Sequence, residues 1–224
     1  MSKHIVVTGA AGALGQTVVA ELAGTGHVVT GIDLADTVDV VPGISMALGG
    51  VDLTVADSIQ AALGKAAGQL GAIDGLVNIA GGFAWETVTD GTPETWDRLY
   101  AINVKSALNS CRAALPHLAM PASIVNIGAS AANSATAGMG AYAASKAGVH
   151  RLTEALAEEL KDTGTRVNAV LPSIIDTPAN RADMPDADVS SWVTTTELAQ
   201  VIAFLLSPAA SGITGALLPV NGRV

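Results

Sequence analysis

The chain has 224 residues, of which half are hydrophobic and only 14% are charged, so we expect a large buried core and exclude a disordered chain. Aromatic residues make up 3%, so this core must be built from Ala, Val, Leu and Ile. The net charge of −9 argues against a nucleic-acid backbone or an anionic membrane surface as a partner.

Signals for export, membrane insertion and metal binding do not occur in this sequence. Residues 1–4 lead directly into an apolar strand without a signal-peptide pattern, and no uncharged apolar stretch reaches the roughly 18 residues of a membrane span. The lone Cys111 excludes an internal disulfide, and the scattered histidines lack the spacing of metal ligands. We therefore expect a cytoplasmic protein that holds no metal ion.

Short apolar runs alternate with longer Ala-rich stretches along almost the whole chain. The runs are rich in β-branched residues and bounded by Gly, Pro or Asp, which indicates buried strands, whereas the Ala-rich stretches indicate helices. The predicted strands cover 4–8, 27–32, 73–78, 123–127, 166–170 and 216–220, with a weaker candidate at 44–48. The predicted helices cover 13–24, 55–70, 93–119, 142–162 and 195–206.

Near-continuous apolar strands separated by helices are typical of a parallel sheet with both faces covered. The pattern therefore predicts a single doubly wound, Rossmann-type α/β domain over residues 1–224, with a seven-stranded parallel sheet. The least regular stretch, 178–192, is rich in proline, alanine and acidic residues, and we interpret it as a loop or short lid.

The first predicted strand runs into a glycine-rich turn that opens a helix, Thr8-Gly-Ala-Ala-Gly-Ala-Leu-Gly15. Gly9 permits the tight turn, Gly12 lets the backbone approach a pyrophosphate, and Gly15 lets helix and strand pack closely. Asp33, at the end of the second predicted strand, supports a dinucleotide site, because a carboxylate there accepts a hydrogen bond from a ribose 2′-hydroxyl. The alternative is a plain turn followed by a solvated strand-end carboxylate.

Asp33 also predicts which dinucleotide is bound. Its carboxylate would repel a 2′-phosphate. No Lys or Arg occurs between His4 and Leu63 to pair with such a phosphate. The sequence therefore predicts NAD(H) rather than NADP(H) as the cofactor.

Over nearly its full length the sequence resembles the short-chain dehydrogenase/reductase family, whose motifs stand here in family order. They are the glycine turn, Asp52-Leu53, Asn78-Ile-Ala80-Gly81, Ile102-Asn103-Val104, Tyr142-Ala-Ala-Ser-Lys146 and Pro172-Ser-Ile-Ile175-Asp-Thr177. The resemblance implies NAD-dependent hydride transfer to or from a small-molecule substrate. It assigns cofactor contacts to Gly9, Gly12, Ala13, Leu14, Gly15, Asp33, Asp52, Leu53, Asn78, Ala80, Gly81, Tyr142, Lys146, Pro172, Ile175 and Thr177.

The resemblance assigns catalysis to Tyr142, Lys146 and Asn103. A spacing of four residues places Tyr142 and Lys146 on one helical face. A phenol with a pKa of about 10 is a poor acid–base catalyst at neutral pH, so we expect Lys146, with the positive nicotinamide, to lower the pKa of Tyr142. Family likeness also makes Lys146 a holder of the nicotinamide ribose, and Asn103 the residue that positions a water in the proton relay.

Position 129 departs from the family pattern. The family places a serine 13 residues before the tyrosine to hydrogen-bond the substrate oxygen, and here that residue is alanine. Ser130 is adjacent and would need a one-residue shift in the loop to substitute. The NADH-dependent quinonoid dihydropteridine reductases are a branch of the family that carries alanine at that place.

Several segments resemble this branch, above all Asp176-Thr-Pro-Ala-Asn-Arg181, Met184-Pro-Asp-Ala-Asp188 and Ser190-Ser-Trp192, which replace a longer substrate lid. The likeness favours a pterin-like ring as the substrate, whereas Asn78 and Asn103 match the mainstream of the family. Candidate substrate contacts are Phe83 and Trp192 for stacking, Met139 for lining the pocket, and Arg181 for orienting an acidic or amide-bearing group.

Two other functions stay open at this point. A cofactor-binding regulatory or scaffold protein with little catalytic activity is favoured by the alanine at 129 and opposed by the intact Tyr142, Lys146 and Asn103. A sugar-nucleotide epimerase is suggested by the glycine spacing, but such enzymes need a larger C-terminal substrate domain.

The sequence also predicts self-association. The helices predicted at 93–119 and 142–162 are rich in alanine, and small side chains allow close helix packing. Family members pair these helices across a two-fold axis, so the resemblance implies a homodimer or homotetramer.

Overall fold

All seven predicted strands, including the weaker candidate at 44–48, form strands in the computed structural model, which describes residues 2–36, 38 and 43–224. In chain order the strands are β1 (His4–Thr8), β2 (Val28–Ile32), β3 (Ile44–Leu48), β4 (Ile73–Asn78), β5 (Leu118–Ile127), β6 (Arg166–Pro172), β7 (Ile175–Asp176), β8 (Val193–Thr194) and β9 (Leu217–Val220). Strands β7 and β8 pair with each other, and the other seven form one parallel sheet in the order β3-β2-β1-β4-β5-β6-β9. The predicted seven-stranded parallel sheet is confirmed.

The strand order reverses at β1, which has β2 on one side and β4 on the other. In open α/β sheets, ligands bind in the crevice at such a switch point, outside the carboxyl ends of the strands. The last residues of β1 and β4, Thr8 and Asn78, are register partners. The glycine turn and the segment 79–82 therefore leave the sheet side by side.

Helices cover both faces of the sheet. They are α1 (Ala13–Gly24), α2 (Ala56–Leu70), α3 (Pro93–Tyr100), α4 (Ser106–Ala114), α5 (Gly140–Leu160), α6 (Pro178–Asp183) and α7 (Thr195–Leu206), and a π-helical segment, Ala101–Lys105, joins α3 to α4. Helices α1 and α7 pack together on one face, while α2, α4 and α5 contribute to the core on the other.

Successive strand side chains point to opposite faces and enter two separate cores. In β1, Ile5 and Val7 join the core beneath α1 and α7, whereas Val6 joins the core beneath α2, α4 and α5. All three are fully buried, and burying such a side chain contributes about 1.5–3 kcal/mol. Because both faces are covered, the strands are apolar at consecutive positions, as their sequences indicate.

The predicted helix over 93–119 is wrong at its end. Helix α4 ends at Ala114, a short 3-10 turn follows, and β5 begins at Leu118. Pro116 explains the early end, because its ring clashes with the preceding helical turn and it has no N–H to donate.

The predicted lid over 178–192 is more regular than expected. It contains α6 and a 3-10 turn at Val189–Ser191. Helix α6 begins after Thr177, whose hydroxyl oxygen accepts from Asn180 N, with Pro178 at the first helical position. None of the described helices combines the length and the hydropathy of a membrane span.

Candidate active site

A cavity of about 770 Å³ lies at the switch point and is lined by the segments that follow β1, β2, β3 and β4. We call it the first cavity. The predicted cofactor residues that line it are Gly9, Gly12, Ala13, Leu14, Gly15, Asp33, Asp52, Leu53, Ala80, Gly81 and Thr177. Residues that the sequence analysis missed also line it: Leu34, Val51, Thr54, Ile79, Ile102, Ser106, Pro178 and Ala179.

The glycine turn requires glycine for different reasons at different positions. Gly9 has a φ of +69°, and a Cβ there would lie 2.8 Å from the Ala80 nitrogen. A Cβ on Gly15 would overlap the Gly9 carbonyl oxygen, so this glycine lets α1 pack against the turn. A Cβ on Gly12 would meet only that same oxygen at 3.4 Å, so Gly12 keeps the backbone open toward the first cavity.

Asp33 is anchored at the turn. Its Oδ2 accepts from Ala11 N at 2.9 Å, and its Oδ1 accepts from Ala35 N at 3.0 Å. A carboxylate has about four acceptor positions, so these two bonds leave capacity for a ligand hydroxyl. Asp33 therefore presents a fixed negative charge on the wall of the first cavity.

The neighbouring Asp52-Leu53 segment, which also lines the first cavity, is fixed in a similar way. Asp52 Oδ1 accepts from the hydroxyl and the backbone N–H of Thr54, at 2.7 and 2.8 Å, and these bonds lower the pKa of Asp52. The Leu53 carbonyl accepts from Asn109 Nδ2 at 2.9 Å. The Asp52-Leu53 pair is thus held in place by contacts from its own turn and from α4.

Tyr142 and Lys146 lie one turn apart on α5, as predicted. Lys146 Nζ donates to the Ile127 carbonyl oxygen at 2.8 Å and lies 6.0 Å from the centre of the Tyr142 ring. Burial lowers the pKa of Lys146 to about 8 and raises the pKa of Tyr142 to about 12. In the protein alone, desolvation of the phenol outweighs any lowering of its pKa by Lys146. The expected lowering, which includes the charge of the bound nicotinamide, stays a prediction.

Asn103 holds two backbone segments together from within the π-helical segment. Its Oδ1 accepts from Gly82 N at 3.0 Å, and its Nδ2 donates to Gly82 O and Ser145 Oγ at 3.1 and 3.0 Å. The Ser145 hydroxyl in turn donates to the Tyr142 carbonyl oxygen at 2.7 Å. Asn103 thereby ties the segment that follows β4 to the helical turn that carries Tyr142. π-Helical turns often mark such functional positions.

Asn78 does not line the first cavity, although the resemblance assigns it a cofactor contact. Its Nδ2 donates to Asn126 Oδ1 at 2.8 Å and to Cys111 Sγ at 3.3 Å, so it cross-links β4, β5 and α4 beneath the site. Among the described residues its Oδ1 is buried without a hydrogen-bond partner. Burial raises the pKa of Cys111 to about 12, so its thiol stays protonated and packs as a small core side chain.

A second cavity, of about 850 Å³, lies beside the first and has aromatic and apolar walls. Tyr142 lines it and makes an edge-to-face contact with Phe83, with ring centres 5.0 Å apart. Pro172 and Ile175, assigned to the cofactor by resemblance, line this second cavity instead. The other lining residues are Trp85, Ala129, Ser130, Ala131, Met139, Ser173, Ile174, Asn180, Asp183 and Met184.

Two of the candidate substrate contacts do not line the second cavity. Trp192 is 5% exposed and does not line the second cavity, so it is a packing residue. Arg181 makes a two-pronged ion pair with Asp176 and lies outside the lining of the second cavity. Phe83 and Met139 do line the cavity, as predicted.

Ser130 faces the second cavity but its hydroxyl is engaged elsewhere. It contacts the Leu171 carbonyl oxygen at 3.0 Å and Asn221 Oδ1 at 2.6 Å. Ala129, the residue at the family's serine position, has only a methyl group to offer the cavity. The link to Asn221 spans 91 residues, so no local sequence signal could have revealed it.

Comparison with known proteins identifies the family. A family model described as Enoyl-(Acyl carrier protein) reductase matches residues 9–222. The 2-(R)-hydroxypropyl-CoM dehydrogenase of Xanthobacter autotrophicus is 32% identical over 99% of this chain and 98% of its own. A solved short-chain dehydrogenase/reductase from Serratia marcescens superposes with a TM-score of 0.88 at 28% identity, covering 99% of this chain and 97% of that one. The chain belongs to the short-chain dehydrogenase/reductase family.

This short-chain dehydrogenase/reductase has the same fold as a family member that was solved with its cofactor bound. The 3-ketoacyl-(acyl-carrier-protein) reductase of Brucella melitensis, solved in complex with NADH, superposes with a TM-score of 0.86 at 28% identity, covering 98% of this chain and 97% of that one. The family binds a nicotinamide cofactor, and the first cavity fits one. The turn from Gly12 to Gly15 at the start of α1 would hold the phosphates, and Asp33 would hold the adenosine ribose.

Proposed function

We propose that this short-chain dehydrogenase/reductase transfers a hydride between NAD(H) and a small carbonyl or quinonoid dihydropterin substrate. The observation that carries the proposal is the place of the catalytic pair between the two cavities. Tyr142 lines the second cavity, while Lys146 reaches the edge of the first, where a Cβ on Gly81 would lie 3.5 Å from Nζ. A substrate and a dinucleotide can therefore meet at this pair.

The protonation states of the pair suit the reduction direction. With a pKa of about 12, Tyr142 carries its proton at neutral pH and can donate it to the substrate atom that faces it. With a pKa of about 8, Lys146 is mostly charged at pH 7, and its ammonium stabilises the phenolate left behind. When bound, the nicotinamide cofactor supplies or accepts the hydride.

Preference for NAD(H) is supported by the charge on the wall of the first cavity. Asp33 is the residue anchored at the glycine turn, and no Lys or Arg stands among the described residues that line this cavity. A 2′-hydroxyl would donate a charge-assisted hydrogen bond worth about 1.5–3 kcal/mol, whereas a 2′-phosphate would be repelled.

We predict that the wild type binds NADH about ten- to a few hundredfold more tightly than NADPH. Asp33→Ala should weaken NADH binding and so reduce the difference between the NADH and NADPH affinities. It should not create strong NADPH binding, because no cation replaces the carboxylate. Protein-fluorescence titrations measure the four affinities, and Asp36→Ala, at an exposed neighbour, is the matched control. Equal or tighter binding of NADPH by the wild type would contradict the proposed cofactor.

The second cavity supports a flat, uncharged ring as the substrate class. Its walls include Phe83, Trp85 and Tyr142, and no cation stands among its described lining residues. Asp183 is the one carboxylate among these described lining residues, and it can accept hydrogen bonds from ring amino groups. A quinonoid dihydropterin offers both a flat ring and an amino group, and it needs no serine hydroxyl at a carbonyl oxygen, in agreement with Ala129.

A regulatory protein that binds NAD(H) with little turnover is the second candidate. It is favoured by the methyl group of Ala129 and by the engaged hydroxyl of Ser130, which leave the second cavity without the family's usual donor. The buried, ordered arrangement of Lys146 and Asn103 opposes it.

One experiment separates the two functions. We expect the wild type to oxidise NADH in a panel of carbonyl compounds and quinonoid dihydropterins. Tyr142→Phe should lower kcat by about 10²–10⁴-fold while NADH binding stays within about twofold, because the phenolic proton is used only in the reaction. Absorbance at the nicotinamide band follows the reaction, and fluorescence follows binding. If both proteins bind NADH and neither turns over, the regulatory function is correct.

We also propose that two or four copies associate through α3, α4 and α5. Trp96 and Tyr100 lie one turn apart on α3, are 40% and 53% exposed, and belong to a helix that packs on α5. A continuous interface across these helices would cover both rings. Light scattering at micromolar concentration tests the association, and a monomeric mass would contradict it.

A further inference from the structure

Two side chains from successive turns of α5 hold the end of β5. Lys146 Nζ bonds to the Ile127 carbonyl oxygen, and one turn later His150 Nε2 accepts from Ala129 N at 3.4 Å, a long hydrogen bond. His150 is 2% exposed, and a Cβ on Gly128 would lie 2.6 Å from its Nε2. The imidazole therefore rests directly on the backbone that leads into the second cavity.

We propose that His150 is a positioning residue for the hydride-transfer reaction, and that its neutral, Nδ1-protonated imidazole fixes the Ala129–Ser130 segment on the wall of the substrate cavity. The catalytic part of this inference rests on the proposed function.

The hydrogen bonds around Ala129 show why this contact matters. Gly128 N donates to Val170 O at 2.9 Å, and the Ser130 hydroxyl contacts Leu171 O, so both neighbours are tied to β6. Ala129 N is instead bonded to His150, and Ala129 is 4% exposed. A buried N–H that loses its acceptor pays its full desolvation cost, so without His150 the segment would shift to find another partner.

Ala129 also stands at the place where the family presents its substrate-binding serine. Its position decides how closely a substrate can approach Tyr142, since both residues line the second cavity. A displacement of about 1 Å at such a wall can lower the rate on the order of a hundredfold. His150, which touches neither cavity, acts only through this backbone.

The charges around the imidazole favour its neutral form. Burial, followed by the charges of Arg151 and Lys146, lowers the pKa of His150, and Glu154 opposes the shift weakly. These charged groups all lie on α5, and the facing residues 127–129 carry no ionisable side chain. Protonation would turn the Nε2 acceptor into a donor that points at Ala129 N–H, so the contact is expected to break on acidification.

The tautomer can be measured without any substrate. In ¹⁵N NMR spectra of the imidazole, with and without NADH, we expect His150 to carry its proton on Nδ1 and to titrate below the usual value of about 6.5. A proton on Nε2, or titration at or above that value, would overturn the inference. Because this measurement needs no turnover, it stays decisive even if the proposed function fails.

Matched variants test the positioning role. His150→Leu removes the acceptor, and we expect it to lower kcat/KM at least tenfold, to expose Ala129 N–H to hydrogen exchange, and to leave NADH affinity within about twofold. His150→Gln offers an amide oxygen in place of Nε2, so it should protect Ala129 N–H from exchange and keep kcat/KM within about threefold of the wild-type value. Because an amide does not titrate, this variant should also lack the fall in kcat/KM that we expect for the wild type when the imidazole is protonated.

A third variant, His117→Leu, is the control, because His117 precedes β5 at the opposite end of the strand. It should leave kcat/KM and the Ala129 exchange rate unchanged. The inference is overturned if His150→Leu keeps the wild-type exchange rate at Ala129, or if His150→Gln and His150→Leu behave alike. If every variant and the wild type lack turnover, the exchange rates alone decide it.

Discussion

Replacing Lys146 by methionine is expected to stabilise the protein and, at the same time, to remove its turnover. Burial lowers the pKa of Lys146 from its usual 10.5 to about 8. Each tenfold change in proton affinity corresponds to about 1.4 kcal/mol, so keeping the buried group charged at pH 7 costs about 3 kcal/mol. Methionine removes this cost but leaves the Ile127 carbonyl without its bond, which offsets about 1 kcal/mol.

A net gain of about 2 kcal/mol should raise Tm by about 4–8 °C. Turnover should fall at least about a hundredfold, because the ammonium that stabilises the Tyr142 phenolate is gone. The position would then exchange stability for activity, which is common where a fold holds a buried catalytic charge.

The gain in stability should vary with pH in a definite direction. Between about pH 8 and 10 the unfolded chain still holds the Lys146 proton that the folded protein has released, so the wild type becomes more stable as pH rises. The raised pKa of Tyr142 acts in the opposite direction, but only above about pH 10, where the phenol of the unfolded chain ionises. Wild type and Lys146→Met should therefore converge in stability near the upper end of this range.

Urea unfolding between about pH 7 and 10 gives the free energy of unfolding, and so measures the stabilisation by Lys146→Met and its change with pH. Lys65→Met is the matched control: Lys65 is exposed on α2, so its replacement should change stability by less than about 0.5 kcal/mol and keep the rise with pH. A Lys146→Met variant less stable than the wild type at pH 7 would show that the Ile127 carbonyl already compensates the buried charge.

The sequence around each predicted strand was enough to predict the site residues that lie at the ends of the strands. The glycine turn, Asp33 and Gly81 follow directly from the ends of strands, and parallel strands bring all their carboxyl ends to one edge. Their place on the first cavity follows from the sheet, which the apolar runs predict. The short spacing of Tyr142 and Lys146 is equally local, since one helical turn places both side chains on one face.

Features that depend on distant contacts could not be predicted in this way. Ser130 is held by a hydrogen bond to Asn221 near the far end of the chain. Asn78 points into the core because its amide donates hydrogen bonds there to Asn126 and Cys111. The raised pKa of Tyr142 has the same origin, because it reflects how completely neighbouring elements exclude water from the phenol. The burial of a residue depends on the tertiary structure, so the sequence pattern around that residue does not predict it.

Ala129→Ser is expected to raise kcat/KM for simple ketones and aldehydes by about ten- to a hundredfold. The residue lines the second cavity with Tyr142, and a serine there would add the hydroxyl that the family uses to hold a carbonyl oxygen. Removing one such donor costs about 10²–10³ in rate where an oxyanion develops, so adding one should recover part of that factor. The backbone at 129 is extended, with a φ of −159°, which serine adopts without strain.

The same substitution should leave a quinonoid dihydropterin reaction within about threefold, because the reacting centre of that ring is not a carbonyl oxygen and gains no partner from the hydroxyl. Ala131→Ser is the control, since Ala131 also lines the second cavity and the variant adds an identical group two residues away. Steady-state kinetics with NADH on both substrate classes measure the outcome. An equal gain for Ala129→Ser and Ala131→Ser would show that added polarity, not a donor aimed at the substrate oxygen, is responsible. No gain from Ala129→Ser on any carbonyl compound would mean that the cavity places its substrate away from position 129, and the alanine at that position would then not account for the choice of substrate.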